Sequence, residues 1–367
     1  MKIVRVSLWR VPLKSHAAYY MTDGKTCDSV DTIVLRADTD ADICGWGEVC
    51  CIPRYLPAYA GGVSPALAEL APVFLGANPL GPEALMDSME RHLPGHGYAK
   101  SPLDIALWDI TARAAGLPLY ALLGGLRTKS LPLYHSITCV APEDMAKIAA
   151  EAKKEGIRQF QVKLGADNNT EADIARLRLV REAAGSGALV YGDWNCGATR
   201  LHAVRVGRAV ADLDIMIEQP CRTLEDCAAV RAATGLPVKI DENAHDTASM
   251  LKAHALGCMD AAALKISKFG GLGALRRARD LCLYLGAQMC IEDCWGSDIA
   301  TAAALHLAAA TPPEAVLNVC DLSGYVSPRL DSSAPARQNG RIAPPHAPGL
   351  GVAPDMEILG EPFAVLE

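Results

Sequence analysis

Three short apolar runs follow one another along the chain: ALVYGDWN at residues 188–195, DIMIEQP at 214–220 and PVKIDE at 237–242. The apolar part of each run leads into a carboxylate, and these carboxylates (Asp193, Glu218 and Asp241) are 25 and 23 residues apart. A segment of helical composition separates each run from the next. This alternation is typical of parallel strand–helix units, in which all strands end at the same face of the sheet.

The same alternation continues outward in both directions from these three runs. Eight strand–helix units at this spacing predict a closed (β/α)8 barrel of the TIM type rather than an open sheet. We expect this barrel to occupy residues 126–323 and to carry the catalytic site. Its predicted strands, with seven segments of helical composition between them, are residues 131–137, 159–164, 188–193, 214–218, 237–241, 261–265, 288–292 and 315–321.

The residues before the barrel have a different pattern and predict an α+β domain over residues 1–125. Residues 3–10 and 31–37 alternate as strands do, and residues 42–49 could close a hairpin. The clearest helix is predicted to start at the cap Ser101-Pro102, with Leu103, Leu107, Ile110 and Ala114 on one face. Residues 324–367 are rich in proline and glycine, and we expect this tail to return to the first domain.

The composition excludes several classes of protein. Half of the 367 residues are hydrophobic and 21% are charged, which fits a globular protein with a large core. The net charge is −7 without a basic block, so we expect no nucleic-acid partner. No apolar stretch reaches the length of a membrane span, and the first residues build no signal core. The 13 cysteines lie mostly in apolar runs, as free thiols do, and this predicts a cytoplasmic protein.

The charges at the strand ends predict a metal site. A parallel barrel brings its strand ends to one face, where Asp193, Glu218 and Asp241 would repel one another without a counter-ion. Three carboxylates with no histidine or cysteine nearby favour a hard cation, Mg²⁺ before Zn²⁺. Glu242 competes with Asp241 as the third ligand, because only one of two consecutive strand residues points inward.

Two lysines end strands on opposite sides of the predicted ring. Lys163 ends the second strand and Lys265 the sixth, so the two amines can reach opposite faces of one bound molecule. A metal-bound carboxylate acidifies its neighbouring C–H, and a lysine of lowered pKa could remove that proton. The alternative interpretation is that each lysine only pairs with a carboxylate ligand.

Seven short motifs follow one another in order along the chain. They are Gly45-Trp46-Gly47-Glu48, Ala99-Lys100-Ser101-Pro102-Leu103-Asp104, Val162-Lys163-Leu164-Gly165, Gly192-Asp193-Trp194-Asn195, Ile217-Glu218-Gln219-Pro220, Ile240-Asp241-Glu242 and Leu264-Lys265-Ile266-Ser267-Lys268. This ordered set resembles the enolase superfamily, in its muconate lactonizing enzyme-like subgroup, over nearly the whole chain. The resemblance implies that Asp193, Glu218 and Asp241 bind Mg²⁺, and that Lys163 and Lys265 form the acid/base pair. It also implies that the first domain and the tail cover the barrel mouth.

One departure from the subgroup concerns the second strand. Much of the subgroup has Lys-x-Lys there, whereas this chain has Gln161-Val162-Lys163. The catalytic lysine is kept and a neutral hydrogen-bonding group replaces the first lysine, which suggests that Gln161 contacts the substrate. No histidine ends the seventh strand, so the Lys/His pair of mandelate racemase-type enzymes is missing.

Within the subgroup, the chain resembles enzymes of proline derivatives. Gln161-Val162-Lys163 and Asp293-Cys294-Trp295-Gly296 are similar to 4-hydroxyproline betaine 2-epimerases. The run 264–268 and Gly296-Ser297-Asp298-Ile299-Ala300 are similar to cis-3-hydroxy-L-proline dehydratases. Our expectation is epimerisation of a proline-type amino acid or its betaine, because lysines on both faces suit one proton leaving and another returning. The alternatives are dehydration of cis-3-hydroxy-L-proline, racemisation of amino acids or dipeptides, and a non-catalytic barrel used for binding.

The predicted substrate is a small-molecule carboxylate, and its predicted contacts are Tyr55, Gln161, Asp293 and Trp295. Trp295 follows the seventh strand and Tyr55 lies in the first domain, so either ring could stack on a quaternary ammonium group or on an uncharged ring. We also expect a homo-oligomer.

Overall fold

The computed structural model describes all residues from Met1 to Glu367 and shows a capping domain followed by a parallel barrel. The capping domain contains an antiparallel sheet and three long helices, followed by a single short turn of helix. Its elements are β1 (Ile3–Tyr20), β2 (Thr26–Thr39), β3 (Cys44–Cys50), α1 (Val63–Phe74), α2 (Pro82–His92), α3 (Gly97–Ala114) and α4 (Leu119–Leu122).

The barrel is formed by eight parallel strands in the order of the chain. Its first predicted strand is divided, because residues 131–132 pair with the tail and only the segment after them joins the barrel sheet. The elements are β4 (Leu131–Pro132), β5 (His135–Ile137), α5 (Pro142–Lys154), β6 (Gln159–Lys163), α6 (Thr170–Ala184), β7 (Leu189–Asp193), α7 (Arg200–Ala209), β8 (Met216–Glu218), α8 (Leu224–Thr234), β9 (Val238–Ile240), α9 (Thr247–Ala255), β10 (Ala261–Lys265), α10 (Ile266–Phe269), α11 (Leu272–Leu285), β11 (Gln288–Glu292), α12 (Asp298–Ala309) and β12 (Val316–Val319).

The barrel sheet runs from β5 to β12 with every neighbouring pair parallel, and a bridge from Leu133 to Val319 links its two edges. The tail contains β13 (Val326–Ser327), β14 (Arg341–Ile342), α13 (Met356–Leu359) and β15 (Ala364–Leu366). Both β13 and β15 pair antiparallel with β1, so the tail completes the capping sheet. The predicted fold, an enolase-like barrel with an α+β cap that the tail completes, is confirmed. None of the helices is both long and apolar enough to cross a bilayer.

Helix α3 begins earlier than predicted. Ser101 is not its cap, because the helix already starts at Gly97 and Ser101 is fully buried inside it. Gly97 lies so close to Gly270 that an added Cβ would stand 3.1 Å from the Gly270 Cα, so contact with the barrel stabilises this first turn. The helix also has no single buried face. Leu103 packs in the cap core and Ile105 in the barrel core, because α3 lies between the two.

Strands β1 and β2 are much longer than the predicted segments 3–10 and 31–37. Beyond Lys14 they continue to pair, with a register shift before Tyr19 meets Cys27. This outer part is half-exposed and irregular, so it has no clean hydrophobic alternation for sequence patterns to detect. It carries Tyr19 and the following Met21 to the barrel mouth, where both line the central cavity.

The motif Gly45-Trp46-Gly47-Glu48 fastens the cap to the barrel. An added Cβ at Gly47 would stand 1.7 Å from the Pro102 carbonyl oxygen, so only glycine allows β3 to lie against α3. Because side chains alternate along a strand, Glu48 points the other way. Its buried carboxylate accepts from the backbone N–H groups of Ser297 (2.8 Å) and Ala300 (2.9 Å), at the start of α12. A cap residue therefore satisfies the free amides of a barrel helix.

We predict that Glu48→Gln destabilises the protein by about 2–4 kcal/mol, because a buried acceptor of several hydrogen bonds is replaced by a group that accepts at only one oxygen. Urea denaturation followed by circular dichroism measures the change. Glu69, whose side chain is 67% exposed, offers the matched control Glu69→Gln, which should stay within the error of the wild-type value. Equal midpoints for both variants would contradict the anchoring role.

Candidate active site

The inward-facing residues of the strand ends surround one cavity beneath the cap. It encloses about 570 Å³ of empty space, including its opening to solvent. Six of the nine predicted site residues line it. They are Tyr55, Gln161, Lys163, Lys265, Asp293 and Trp295. The three predicted metal ligands lie directly behind these residues and are bonded to them, as described below.

On one side of the cavity, Lys163 is paired with Asp193. The Lys163 Nζ atom lies 2.5 Å from Asp193 Oδ2 and also donates to Asn195 Oδ1 at 3.1 Å. Asn195 has a positive φ of 45°, which turns the chain sharply after β7. Its backbone N–H donates to Asp193 Oδ1 at 2.8 Å, so both oxygens of this buried carboxylate are held.

On the opposite side, Lys265 is paired with Asp241. The barrel order places β6 and β10 four strands apart in a ring of eight, so the two lysines face each other across the cavity. Lys265 Nζ lies 2.7 Å from Asp241 Oδ2, is also bonded to the Tyr55 hydroxyl, and lies 3.8 Å from Glu292 Oε1. Burial opposes its charge, but Asp241 and Glu292 raise the pKa of Lys265 well above its usual value.

Lys268, which had no role in the sequence analysis, also holds Asp241. It lies in α10, and its Nζ donates to Asp241 Oδ1 at 2.8 Å. Burial disfavours the ionised form, but Lys265 and Lys268 together keep the pKa of Asp241 far below its usual value. The signal for Lys268 was present in the motif Lys265-Ile266-Ser267-Lys268, because one helical turn after the strand brings its last lysine back toward the same strand end.

Glu218 is held less completely than the two aspartates. Gln161 Nε2 donates to its Oε2 at 2.7 Å, and Lys239 Nζ lies 3.1 Å from its Oε1. The Oε1 atom has no hydrogen-bond partner, because the contact with Lys239 lacks hydrogen-bond geometry. Burial raises the pKa of Glu218 to about 7; Lys239 opposes this rise and Asp193 adds to it.

Glu242, the competing ligand, accepts from Asn195 Nδ2 at 3.1 Å. Its other oxygen, Oε2, is inaccessible and has no hydrogen-bond partner. Burial raises the pKa of Glu242 to about 8, and the neighbouring Asp241 and Asp193 add to this effect. The site therefore contains two carboxylate oxygens, one from Glu218 and one from Glu242, that the protein itself leaves unsatisfied.

These groups fit a divalent cation. As the side chains stand, no three of them converge on one point, since Asp193 and Asp241 are turned toward lysines. The donors are hard carboxylate oxygens, as Mg²⁺ prefers. When all of them are ionised, the six carboxylates around the cavity outnumber the four ammonium groups by two negative charges. The carboxylates belong to Asp193, Glu218, Asp241, Glu242, Glu292 and Asp293, and the ammonium groups to Lys163, Lys239, Lys265 and Lys268.

The four predicted substrate contacts have different surroundings. The Tyr55 hydroxyl donates to Asp241 at 2.5 Å and Gln161 is bonded to Glu218, so both contact predicted metal ligands directly. Asp293 accepts from the backbone N–H and hydroxyl of Ser267. Trp295 lines the cavity and packs edge-on against Tyr19, with ring centroids 5.7 Å apart.

Other residues that line the cavity were missed. Tyr19 reaches it from the extended part of β1, and Tyr325 from the segment after β12, where its ring centroid lies 6.0 Å from that of Trp295. Neither belongs to a motif, because both follow segments whose path depends on pairing between the cap and the tail. The arrangement offers two amines on opposite sides of an aromatic-walled cavity next to a cluster of carboxylates.

Comparisons with known proteins identify the family and agree with the fold. Residues 144–358 match the family model described as enolase C-terminal domain-like, and residues 5–124 match the N-terminal domain of mandelate racemase / muconate lactonizing enzyme. A cis-3-hydroxy-L-proline dehydratase from Roseibium aggregatum is 41% identical over 99% of both chains. An N-succinyl-L-Arg/Lys racemase from Bacillus cereus is 28% identical over 84% of both. A crystal structure of an enolase superfamily member from Roseovarius nubinhibens complexed with magnesium is 36% identical, covers 99% of both chains and has a TM-score of 0.93.

We predict that Mg²⁺ stabilises the protein more at about pH 8 than at about pH 6. In the metal-free fold, Glu218 and Glu242 keep protons to about pH 7 and 8, whereas the unfolded chain loses them near its ordinary value of 4.5. The free energy of unfolding without metal therefore falls as the pH rises from about 6 to about 8. At the higher pH, the cation can neutralise the carboxylates that have lost their protons.

Melting temperatures with EDTA and with excess MgCl₂ at the two pH values measure this effect. Glu242→Gln removes one of the two titrating groups and should reduce the pH dependence. An equal rise in melting temperature at both pH values would contradict the prediction.

Proposed function

This chain belongs to the mandelate racemase / muconate lactonizing enzyme family of the enolase superfamily, and from that premise we propose that it dehydrates a 3-hydroxyproline. The proposed substrate is cis-3-hydroxy-L-proline, the proposed metal is Mg²⁺, and the proposed ligands are Asp193, Glu218 and Asp241. Lys163 and Lys265 are the proposed acid/base pair.

The relative at 41% identity favours dehydration over the epimerisation that we expected from the sequence. That expectation rested on two lysines facing each other, and several epimerases and racemases among the relatives share the family at lower identity. The lysine pair alone does not separate the two reactions, because each needs one group to take a proton and another to give one on the opposite face.

The stereochemistry of the proposed substrate suits the two lysines. In cis-3-hydroxy-L-proline, the hydroxyl and the carboxylate share one face of the ring, so the α-hydrogen lies on the other face. One lysine accepts the α-proton, the C2–C3 double bond forms, and the C3–O bond breaks. The opposite lysine donates a proton to the departing oxygen, which leaves as water. The resulting enamine then tautomerises to the cyclic imine.

A bound Mg²⁺ would hold the substrate carboxylate and stabilise the charge that develops as the α-proton leaves. It would also neutralise part of the carboxylate charge that raises the pKa of the lysines, so that one lysine could act as a base. The residues of the chain do the rest. Asn195 orients Lys163, whereas Tyr55 orients Lys265 and closes the cavity from the cap. Gln161 holds Glu218, and Lys268 holds Asp241.

The cavity wall supports a small substrate with one carboxylate. Its only cationic lining residues are Lys163 and Lys265, so a second acidic group of the substrate would have no partner. Glu292 and Asp293 lie beside the lysines and suit the ring ammonium group. Trp295 supplies a flat apolar surface for the ring carbons. This lining disfavours succinylated amino acids and acidic dipeptides.

A second candidate function is epimerisation at the α-carbon, which the opposed placement of the lysines supports.

We expect the wild-type enzyme with Mg²⁺ to convert cis-3-hydroxy-L-proline to an imine that forms a coloured product with o-aminobenzaldehyde, and EDTA to stop the reaction. Proton NMR in D₂O distinguishes the two candidates, because an epimerase returns an α-deuterated diastereomer without losing water. Deuterated epimer without imine would refute dehydration.

We predict that Lys163→Ala and Lys265→Ala both abolish dehydration but differ in α-proton exchange. The variant that lacks only the acid keeps the base and should still wash deuterium into the α-position of unreacted substrate. The variant that lacks the base should do neither. Lys147→Ala, at a lysine 75% exposed on α5, is the control and should keep full activity. Substantial imine formation by either active-site variant would contradict the two-lysine scheme.

A further inference from the structure

Lys239 is a buried lysine that the proposed reaction does not use. It lies in β9, two residues before Asp241, and therefore points into the barrel on the same side of the strand. Its side chain is 0% exposed and does not line the cavity. A fully buried lysine is rare and costly unless its charge is balanced, so this position requires a specific reason.

Glu218 is the carboxylate paired directly with Lys239, and Glu292 lies near enough to favour its charge as well. Its Nζ lies 3.1 Å from Glu218 Oε1, and no hydrogen bond accompanies this ion pair. The ammonium also lies over the ring of Tyr191, 4.6 Å from the centroid, and 5.6 Å from that of Tyr134. The Tyr134 hydroxyl is itself occupied by Glu292, to which it donates at 2.5 Å.

Lys239 differs from the other lysines around the site. Lys163 and Lys265 line the cavity, so each can exchange its carboxylate for a substrate group. Lys239 has no such path, because its side chain is fully buried and does not reach the cavity. It is a permanent positive charge behind one carboxylate. Gln161, on the other oxygen of Glu218, is neutral.

We propose that Lys239 is a positioning residue that fixes Glu218 from inside the barrel and weakens the affinity of the site for its divalent cation. The ammonium attracts the same carboxylate that the cation would bind, and it repels the cation through a poorly screened interior. The site would therefore release its cation more readily. The inference rests on the proposed metal site but is independent of the proposed substrate.

The test is Lys239→Met, which keeps the length of the side chain and removes the charge. Isothermal titration calorimetry with MgCl₂ at about pH 9, where Glu218 is ionised with or without Lys239, on the metal-stripped full chain should show a dissociation constant about tenfold lower than that of the wild type. The metal-free variant should also melt at a lower temperature, because Glu218 has lost its counter-ion, and MgCl₂ should restore much of the loss. A merely structural role of Lys239 would instead weaken metal binding.

Two further variants complete the experiment. Lys239→Arg keeps the charge and should stay near the wild-type affinity, and Lys239→Gln provides a smaller neutral side chain if the methionine variant does not fold. Unchanged or weaker Mg²⁺ binding in a folded neutral variant overturns the inference while the metal site stands. Lack of Mg²⁺ binding by the wild type overturns both the inference and the proposed metal site.

Discussion

The carboxylates buried at the mouth of the barrel need positive charge, and this requirement organises the site. Moving an ionised carboxylate away from water is costly unless another charge or several hydrogen bonds compensate it. Asp193 and Asp241 meet the requirement with lysines that also face the substrate cavity. Glu218 is paired with Lys239, a buried lysine that does not line the cavity. One oxygen of Glu242 has no partner at all. The carboxylates at the barrel mouth thus form a set of ion pairs that a divalent cation would partly replace in our proposal.

The same requirement fastens the cap to the barrel. Glu48 is buried at the boundary between cap and barrel, where it accepts hydrogen bonds from the first amides of α12. Asp104 of the cap does the same for α11, accepting from the Gly273 N–H at 2.9 Å. Helix N-termini provide unsatisfied donors and partial positive charge, so two carboxylates and two helices neutralise each other across the boundary. This fixes the cap above the mouth, and the position of the cap brings Tyr55 to Lys265.

The sequence predicted those features that depend on local pattern. The barrel strands were predictable because each is a short apolar run between segments of helical composition, and seven of the eight runs lead into a charged residue. The tail was predictable from its composition. The start of α3 was not, since its first turn depends on contact between Gly97 and Gly270, which are distant in the chain. The role of Lys239 was not predicted, because the face of the barrel to which a strand residue points is known only from the structure. The outer parts of β1 and β2 were not predicted, because half-exposed strand pairs lack an alternating hydrophobic pattern.

The choice between dehydration and epimerisation depends on the cavity wall rather than on the carboxylates and lysines. Both reactions begin with loss of the same proton, and both need a proton donor opposite the base, so the pair Lys163 and Lys265 is common to them. The outcome depends on which group of the substrate the wall holds opposite the base. A hydroxyl placed beside the donor lysine leaves as water, whereas a bare ring face receives a proton on carbon. Trp295, Tyr19 and Tyr325 form that wall, and they come from three segments outside the barrel strands. The group held opposite the base is therefore set by segments outside the strands that carry the carboxylates and lysines.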